Sequence, residues 1–505
     1  MTRTSAGVSP DITVKVRTSV GRFHPLVALM LLAVAVRLPV AFWPNVNHPD
    51  EIFQFLEPAW RMLGHQGIVT WEWRDGIRSW FLPTLFVGPL ALGDWLAPGG
   101  AGAFIVPRLF AALASLSIVI SAWYLGARVS RMHAIVAALV GAVWFELVYF
   151  APHTLSETLA TALIVPAALL LTSGPSRKRL VIGGGLLALA FVWRFQYAPA
   201  IAVFALGACW RQWRNALPLV VGGTVVLLLA AIVDVSHGVV PFEWLILNVK
   251  ENLLRQRASE FGVAPANAYL VFLVFMWSGA TVLLLCALAR GWRHAPLLIV
   301  AAVANLAVHS LIEHKEYRFI FLSVALLIIA AALGTADWGQ MMQAKPAWRP
   351  WALPVIVGGW VLISLGLAGA KPMQSFWMRG TGSARLAAEL RADPELCGVA
   401  LYITPFYLLP GRERLVGGSP LYAFYLKDPA AVGHLPALAK KHEPAFNRIL
   451  GPPDSASDLP ADFSRRSCAS MDDGSVACIF ARGGGCDAAS AGPFAINYVL
   501  VRLNK

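Results

Sequence analysis

A succession of apolar runs, most about as long as a bilayer crossing and separated mainly by short basic loops, constrains this chain more than any single motif. The first covers about 25–43, and others follow at 104–126, 134–150, 157–173, 180–193, 197–210, 215–233, 269–289, 296–311, 319–336 and 351–369. A helix needs about 20 apolar residues to cross the hydrocarbon core. Inside lipid, every backbone N–H and C=O must be satisfied within the protein. The chain is 57% hydrophobic and 14% charged, whereas a soluble domain carries roughly 25% charged residues. These features predict a polytopic α-helical membrane protein with about eleven spans.

Lys and Arg set the orientation, because they collect in cytoplasmic loops. Arg128, Arg131 and His133, Arg177-Lys178-Arg179, Arg211 and Arg214, Arg290 and Arg293, and Lys345 and Arg349 all fall on one side. The basic segment 1–24, with Arg3, Lys15, Arg17 and Arg22, joins them. The net charge of +13 then follows from topology and anionic lipid, and no aromatic-interleaved basic tract points to nucleic acid. The run 25–43 is too long for a signal-peptide core and lacks a small-residue cleavage site, so it reads as a retained helix. Arg37, in its outer half, is expected to snorkel to the interface.

The opposite side receives an outer loop, 44–103, a second outer loop, 234–267, and the tail, 370–505. In the first loop Ile52, Leu56, Trp60 and Leu63 lie opposite Gln54, Glu57 and Arg61 at helical spacing, with Pro58 expected to kink or break that helix. The piece 80–97, interrupted by Pro83, Gly88, Pro89 and Gly93, is expected to lie along the interface. The tail carries mixed charge, the turn Gly451-Pro452-Pro453-Asp454 and strand-like runs near 397–404 and 476–481. It reads as a small water-facing domain of mixed α/β character, after a transmembrane module over 25–369. Four of the six Cys lie in the tail, namely Cys397, Cys468, Cys478 and Cys486. An oxidising exterior favours disulfides, with all three pairings open. Zinc is disfavoured by the spacings. Cys209 and Cys286 read as plain core residues.

The chemistry concentrates at the predicted outer ends of spans. In His48-Pro49-Asp50-Glu51-Ile52-Phe53-Gln54 two adjacent carboxylates stand where the first helix leaves the membrane. Charge stranded against lipid is costly, so they are hydrated, paired or at work; a solvated helix cap is the plainer alternative. His314-Lys315-Glu316-Tyr317-Arg318-Phe319 lies on the same side, where the plainer alternative is a salt-bridge cluster with Glu313 and Glu316. A transporter or flippase for a lipid-linked sugar is the competing class, but its charges would line a path near mid-membrane. A non-catalytic assembly subunit is a third reading. No internal repeat, P-loop or dinucleotide fingerprint is present.

The first of these motifs, with Glu57-Pro58 after it, resembles the first-loop signature of glycosyltransferase family 22, the polyprenol-phosphate-mannose-dependent mannosyltransferases of GPI-anchor and N-glycan assembly. Thr70-Trp71-Glu72-Trp73 and Ile77-Arg78-Ser79 resemble the family's next block. Pro107-Arg108-Leu109 and Leu155-Ser156-Glu157-Thr158 resemble weaker ones, and His314 to Phe319 resembles its most specific downstream motif. Gly417-Gly418-Ser419-Pro420-Leu421-Tyr422 adds a fainter likeness, and the chain departs from the pattern at Val235-Ser236-His237-Gly238. The likeness extends over roughly residues 30–335.

This resemblance implies a GT-C fold and inverting transfer of a hexose, mannose by likeness, from a polyprenyl-phosphate donor to a glycan or glycolipid acceptor. A phosphate leaving group needs little protonation, so one carboxylate base suffices, unlike the carboxylate pair of hydrolases. Asp50 is the expected base, with Glu51 as its substitute or orienting partner. Lys315 and Arg318, with His314, Arg78 and Arg194, are the expected donor-phosphate cations. His48, Gln54, Glu57, Asp234 and Asn248 are candidates for sugar or acceptor contacts, although Asp234 and Asn248 have helix capping as an alternative. No metal or cofactor is called for. Ala-, Gly- and Arg-rich usage points to a bacterial inner membrane with the site facing the periplasm, the ER lumen being the eukaryotic equivalent.

Overall fold

Each stretch expected to span is helical in the computed structural model, which describes residues 24–98, 101–174, 176–431, 433–487 and 492–504. The basic stretch containing Arg3, Lys15, Arg17 and Arg22 lies outside the described residues. Among the described residues, five helical segments are long and apolar enough to cross a membrane: Pro25–Phe42, Ala101–Ala127, Trp213–Ser236, Ala268–Gly291 and Tyr317–Gln343. A sixth candidate, Ala352–Ala368, bends by 64° into Lys371–Ala392. The other apolar helices are shorter, at 10–17 residues. Their interruptions have local causes. Trp144 takes an extended conformation between Arg131–Val143 and Phe145–Phe150, and Ser278, at φ 46°, breaks the segment Ala268–Gly291.

Tyr317–Gln343 is the central span, with 94% of its apolar window buried. Every residue from Phe321 to Ala336 is buried, as expected of a helix apolar on all sides. Thr281–Gly291, Pro296–Ser310, Arg131–Val143 and Ser156–Thr172 pack around it. Small residues permit this proximity. A Cβ on Gly291 would lie 2.0 Å from the Ala330 carbonyl oxygen, and one on Gly334 would lie 1.9 Å from that of Ala287.

Three local expectations change. Arg37 does not snorkel: it is buried and donates to Ser115 Oγ (3.0 Å) and to the carbonyls of Gly141 (2.9 Å) and Ala142 (2.8 Å). The break at Trp144 leaves those helix-end carbonyls without intrahelical partners, and the guanidinium supplies them. Pro58 does not break a helix but sits in the first turn of Glu57–Met62, where its missing N–H costs nothing; a wide π-type turn, Glu51–Leu56, precedes it. The 80–97 piece is not interrupted as expected but forms one continuous helix of 16 residues, Phe81–Leu96, that accommodates Pro89 and packs its Gly93 against Gly102.

The tail contains a five-stranded sheet: β1 (Val399–Tyr402), β2 (Leu421–Phe424), β3 (Arg448–Gly451), β4 (Ser464–Ser470) and β5 (Val476–Ala481), in the order β2-β1-β3-β5-β4. β2, β1 and β3 run parallel and are fully buried, as parallel strands are; β5 and β4 are antiparallel. The strand-like runs near 397–404 and 476–481 are β1 and β5. The sheet does not stand apart from the loop above the membrane. Ile52, Phe53, Leu56 and Trp60 share one apolar cluster with Leu401, Tyr402, Phe406 and Leu409. Cys397 pairs with Cys486, and Cys468 with Cys478 across the register of β4 and β5. Cys286 is exposed on its apolar helix and Cys209 is half-buried, so neither is the core residue expected.

The two bridges differ in what they constrain. Cys397–Cys486 closes a separation of 89 residues and Cys468–Cys478 one of 10. Chain entropy assigns about 4.6 and about 2.7 kcal/mol to loops of those lengths. Peptide mass spectra taken without reductant should show both bridges, and Cys397→Ser should lower the tail's melting temperature more than Cys468→Ser. Four free thiols, or the reverse order of melting, would refute the pairing.

Candidate active site

The acidic motif is held in place by its second carboxylate. Glu51 is buried and accepts from the backbone N–H of Asn47 (2.6 Å) and Thr154 (3.2 Å), while His153 Nδ1 lies 2.9 Å from its Oε1. Burial works against its ionisation, but His153, Arg108 and the Asn47 N–H outweigh this and keep the carboxyl below its usual value. Arg108, from the Pro107-Arg108-Leu109 block, donates to the Val40 carbonyl (2.8 Å) and to Asn45 Oδ1 (2.9 Å), which fixes the chain where it leaves the first helix. With Glu51 occupied from every side, Asp50 is the carboxylate left near open space, its side chain 18% exposed.

Asp50 belongs to a buried ion cluster around Arg318. The guanidinium reaches three carboxylates: Nη2 to Asp50 Oδ2 (2.6 Å), Nη1 to Glu157 Oε1 (2.8 Å) and Nε to Glu316 Oε2 (2.6 Å). Glu157 Oε1 also pairs with Arg194 Nη2 at 3.3 Å. Each of the two guanidinium groups also lies 4.8 Å from the centroid of the Phe319 ring, a favourable cation–π distance. His48 bridges Asp50 (3.2 Å) and Glu316 (3.4 Å). Burial opposes ionisation of Asp50, yet Arg318, with His48 and Arg78, holds its carboxyl well below the usual carboxylate range. Glu316 is depressed in the same way, against burial, by Arg318 and His48.

Beside this cluster lies a partly open pocket lined by Gln54, Arg78, Ser156, Arg194, Trp244 and Asn248 among others. Four candidates from separate stretches, Gln54, Arg78, Arg194 and Asn248, therefore meet at one place. Glu72 accepts from Gln54 Nε2 (3.3 Å) and lies 3.9 Å from Arg78 Nη2, and Asn248 Nδ2 donates to the Ile77 carbonyl (3.2 Å). The Nε atoms of Arg78 and Arg194 are buried without a hydrogen-bond partner among the described residues, an unusual state for a charged group.

The other candidates act elsewhere. Glu57 accepts from the N–H of Ile68 (2.7 Å) and of Arg412 (2.5 Å). A Cβ on Gly67 or Gly411 would collide with its oxygens at 2.8 and 2.7 Å, so those glycines are what let the backbone approach. Burial pushes Glu57 up to about 7 against these N–H donors, and the carboxyl ties the motif to the tail. Asp234 accepts from the Phe242 N–H (3.0 Å) and from Trp244 Nε1 (3.2 Å), thereby placing Trp244 at the cavity. Lys315 donates to the Ala264 carbonyl (2.9 Å), and His314 bonds to the Gly262 carbonyl (2.9 Å) and to Glu316, which raises its pKa. Both hold the outer loop, and neither is among the residues that line the cavity.

Sequence reasoning passed over Glu157, Glu316 and Glu72 as site residues, and His153 and Trp244 altogether. Glu157 carried a signal: it stands at the first turn of an apolar helix, Ser156–Thr172, where a buried carboxylate requires a cation. His153 and Trp244 carried none, because their roles depend on which loops meet.

The fold and this site define an integral-membrane glycosyltransferase of the GT-C class. The model of the Alg9-like mannosyltransferase family matches residues 28–371, and the chain belongs to that family. GPI mannosyltransferase 3 of Yarrowia lipolytica is 28% identical over 408 residues, 75% of this chain and 73% of that protein. GPI alpha-1,2-mannosyltransferase 3 of Bos taurus is 27% identical over 58% of this chain and 56% of its own length. The match to the corresponding Drosophila melanogaster protein covers 60% of that protein, so the chain spans between about half and three-quarters of these relatives. Among solved structures, ArnT from Cupriavidus metallidurans bound to undecaprenyl phosphate superposes with a TM-score of 0.61 at 14% identity, over 91% of this chain and 99% of ArnT. The oligosaccharyltransferase of Archaeoglobus fulgidus reaches 0.51 at 12%, over 86% and 68%. These similarities fix the fold. The sequence relatives are fungal and animal, and the expectation of a bacterial membrane rests on composition alone.

Removing Arg318 takes the shared guanidinium from three mostly buried carboxylates and leaves only Arg194 on Glu157 and the histidines His48 and His314 on Asp50 and Glu316, a change that costs about 3 kcal/mol or more. Arg318→Gln is therefore expected to melt early. Without the guanidinium, burial outweighs the contacts that remain and raises the folded-state pKa values of these acids above their unfolded ones, so they cost nothing below the unfolded value and progressively more as pH rises through the folded one. The melting-temperature gap to wild type should widen from pH 5 to pH 8. A gap independent of pH would show that Arg318 does not neutralise this cluster.

Proposed function

We propose that the chain transfers a hexose, mannose by family, from a polyprenyl-phosphate donor to a hydroxyl of a glycan or glycolipid acceptor, at the membrane face bearing the loop 44–103. What supports this reading above all is one juxtaposition. The partly exposed Asp50 is linked through Arg318 and Glu157 to Arg194, which lines a cavity with Arg78. The two guanidinium groups suit a lipid monophosphate whose chain stays in the bilayer, and Gln54, Asn248 and Trp244 suit a sugar.

The acceptor oxygen attacks the anomeric carbon from the side opposite the phosphate, the carbon–oxygen bond to phosphate breaks, and the bonding pair leaves with the lipid phosphate. The acceptor proton passes to Asp50. A single displacement inverts the anomeric centre. Arg78 and Arg194 gain strength as charge grows on the departing oxygen. Glu51 is a positioning residue, through its grip on the motif backbone.

A transporter would need charged groups along the middle of its helices. Here they gather at the ends of the central span, whose middle from Val324 to Gly334 is uniformly apolar. The outer face, whether periplasmic or lumenal, follows from the placement of basic loops.

Loss of a general base costs roughly 10²–10⁴-fold in rate. With purified protein and radiolabelled polyprenyl-phosphate mannose, Asp50→Asn should lose at least about 100-fold in turnover while melting near wild type, since Asn still accepts from Arg318. Arg194→Gln should lose turnover even at saturating donor. Wild-type turnover in Asp50→Asn would remove Asp50 from the mechanism, and absence of mannose transfer by the wild-type protein would remove the reading itself.

A further inference from the structure

At the opposite end of the central span a second set of side chains converges, one that sugar transfer does not use. Asp337, near the end of Phe321–Gln343, receives His133 Nε2 at 3.1 Å and His294 Nε2 at 2.9 Å on one carboxylate oxygen, and His294 Nε2 is 3.0 Å from the other. The three ligand atoms lie within 4.8 Å of one another. His133 belongs to the first turn of Arg131–Val143 and His294 to the turn between Thr281–Gly291 and Pro296–Ser310. Three elements distant in sequence thus present three ligand atoms to one point. At 1.5 Å per residue, Asp337 lies about 28 Å along the helix from Arg318, roughly one hydrocarbon thickness, among the loops that carry Arg128, Arg131, Arg290 and Arg293.

We propose that His133, His294 and Asp337 bind a divalent transition-metal ion, with Zn²⁺ the best fit, on the face opposite the sugar-transfer site. Two imidazoles and a carboxylate are borderline ligands that suit such an ion over Mg²⁺ or Ca²⁺. In a tetrahedral site with bonds near 2.0 Å, neighbouring ligand atoms stand about 3.3 Å apart, so opening these contacts by a few tenths of an ångström admits the ion. Three protein ligands leave a fourth position for water.

A second observation comes from the other side of the His133 ring. Its Nδ1 lies 2.8 Å from Ser130 Oγ. A ligating imidazole ordinarily donates its far N–H to such an oxygen, which fixes the tautomer that leaves Nε2 free for the metal. His133 is fully buried, and its ring meets that of His294 edge to face at 4.9 Å, so both imidazoles are oriented before any ion arrives. The alternative is a metal-free triad in which a protonated imidazole shares Asp337 with its neighbour. The bound ion would join the first turn of Arg131–Val143, the 291–296 turn and the central span, and so hold that span from the end opposite Arg318.

The test uses the full chain purified in detergent through a tag other than polyhistidine. After chelation and dialysis, Zn²⁺ titration should give one tight equivalent per chain, and Co²⁺ should give the visible absorption of a four-coordinate ion. His294→Gln and Asp337→Asn should each weaken binding at least tenfold, and Zn²⁺ should raise the melting temperature of wild type but of neither variant. The Asp337→Asn protein, nearly isosteric, keeps the test open if His294→Gln fails to fold. No stoichiometric binding, or binding unchanged in the variants, would return the three residues to a hydrogen-bonded triad.

Discussion

One guanidinium in a mostly buried site organises this molecule. Arg318 stands at the head of the most buried span and meets carboxylates from three other places: Asp50 on the first outer loop, Glu157 at the start of Ser156–Thr172, and Glu316 beside it. An ion in such a position is tolerable only when geometry and hydrogen bonding are complete. The planar fork of arginine, with donors in three directions, supplies what the point charge of lysine cannot. The cluster adds little stability over an apolar alternative, but it specifies which elements meet. Any shift of the first loop separates Asp50 from its partner.

The tail extends that specification. Glu57 is reached by backbone N–H groups from Ile68 and Arg412 only because Gly67 and Gly411 carry no side chains, and the apolar residues beside it complete a core with the sheet. Asn497 adds two bonds, accepting from the Val69 N–H and donating to the Gly67 carbonyl. The apolar residues of the loop that carries Asp50 are buried against the sheet domain. With this domain packed over the loop, the position of Asp50 depends on residues more than 350 positions away.

Much of the frame was legible in the sequence, because apolar runs and basic loops report directly on the bilayer. The adjacency of Asp50 to the Arg318 cluster was legible only as a shared side of the membrane. Spacing gave no distance between them, nor the fact that Arg318 is already engaged by carboxylates. Lys315 shows the limit most clearly: two cations three positions apart suggested a common task, yet the outer loop takes Lys315 and the ion cluster takes Arg318. Arg37 taught a related lesson, since whether a mid-helix cation snorkels depends on whether a neighbouring helix breaks beside it. In the tail, β2 and β3 are four-residue buried strands, too short for any alternating pattern to show. Glycine at 67 and 411 was silent because its role lies in what approaches it.

The depressed pKa of Asp50 bears on how a transfer of the proposed kind would proceed. A carboxylate stabilised by Arg318 is always ionised at neutral pH but is a weak base, and a weak base transfers protons efficiently only when its partner has become acidic. A hydroxyl oxygen becomes acidic as its bond to the anomeric carbon forms. Proton transfer to Asp50 therefore belongs late in the displacement, after the carbon–phosphate oxygen bond has largely opened. That order needs a good leaving group more than a strong base, and the lipid monophosphate proposed to bind at Arg78 and Arg194 would be one. On the proposed mechanism the same balance would let a single partly exposed carboxylate serve where a hydrolase needs two, with cations at the departing oxygen in place of the second proton-handling group.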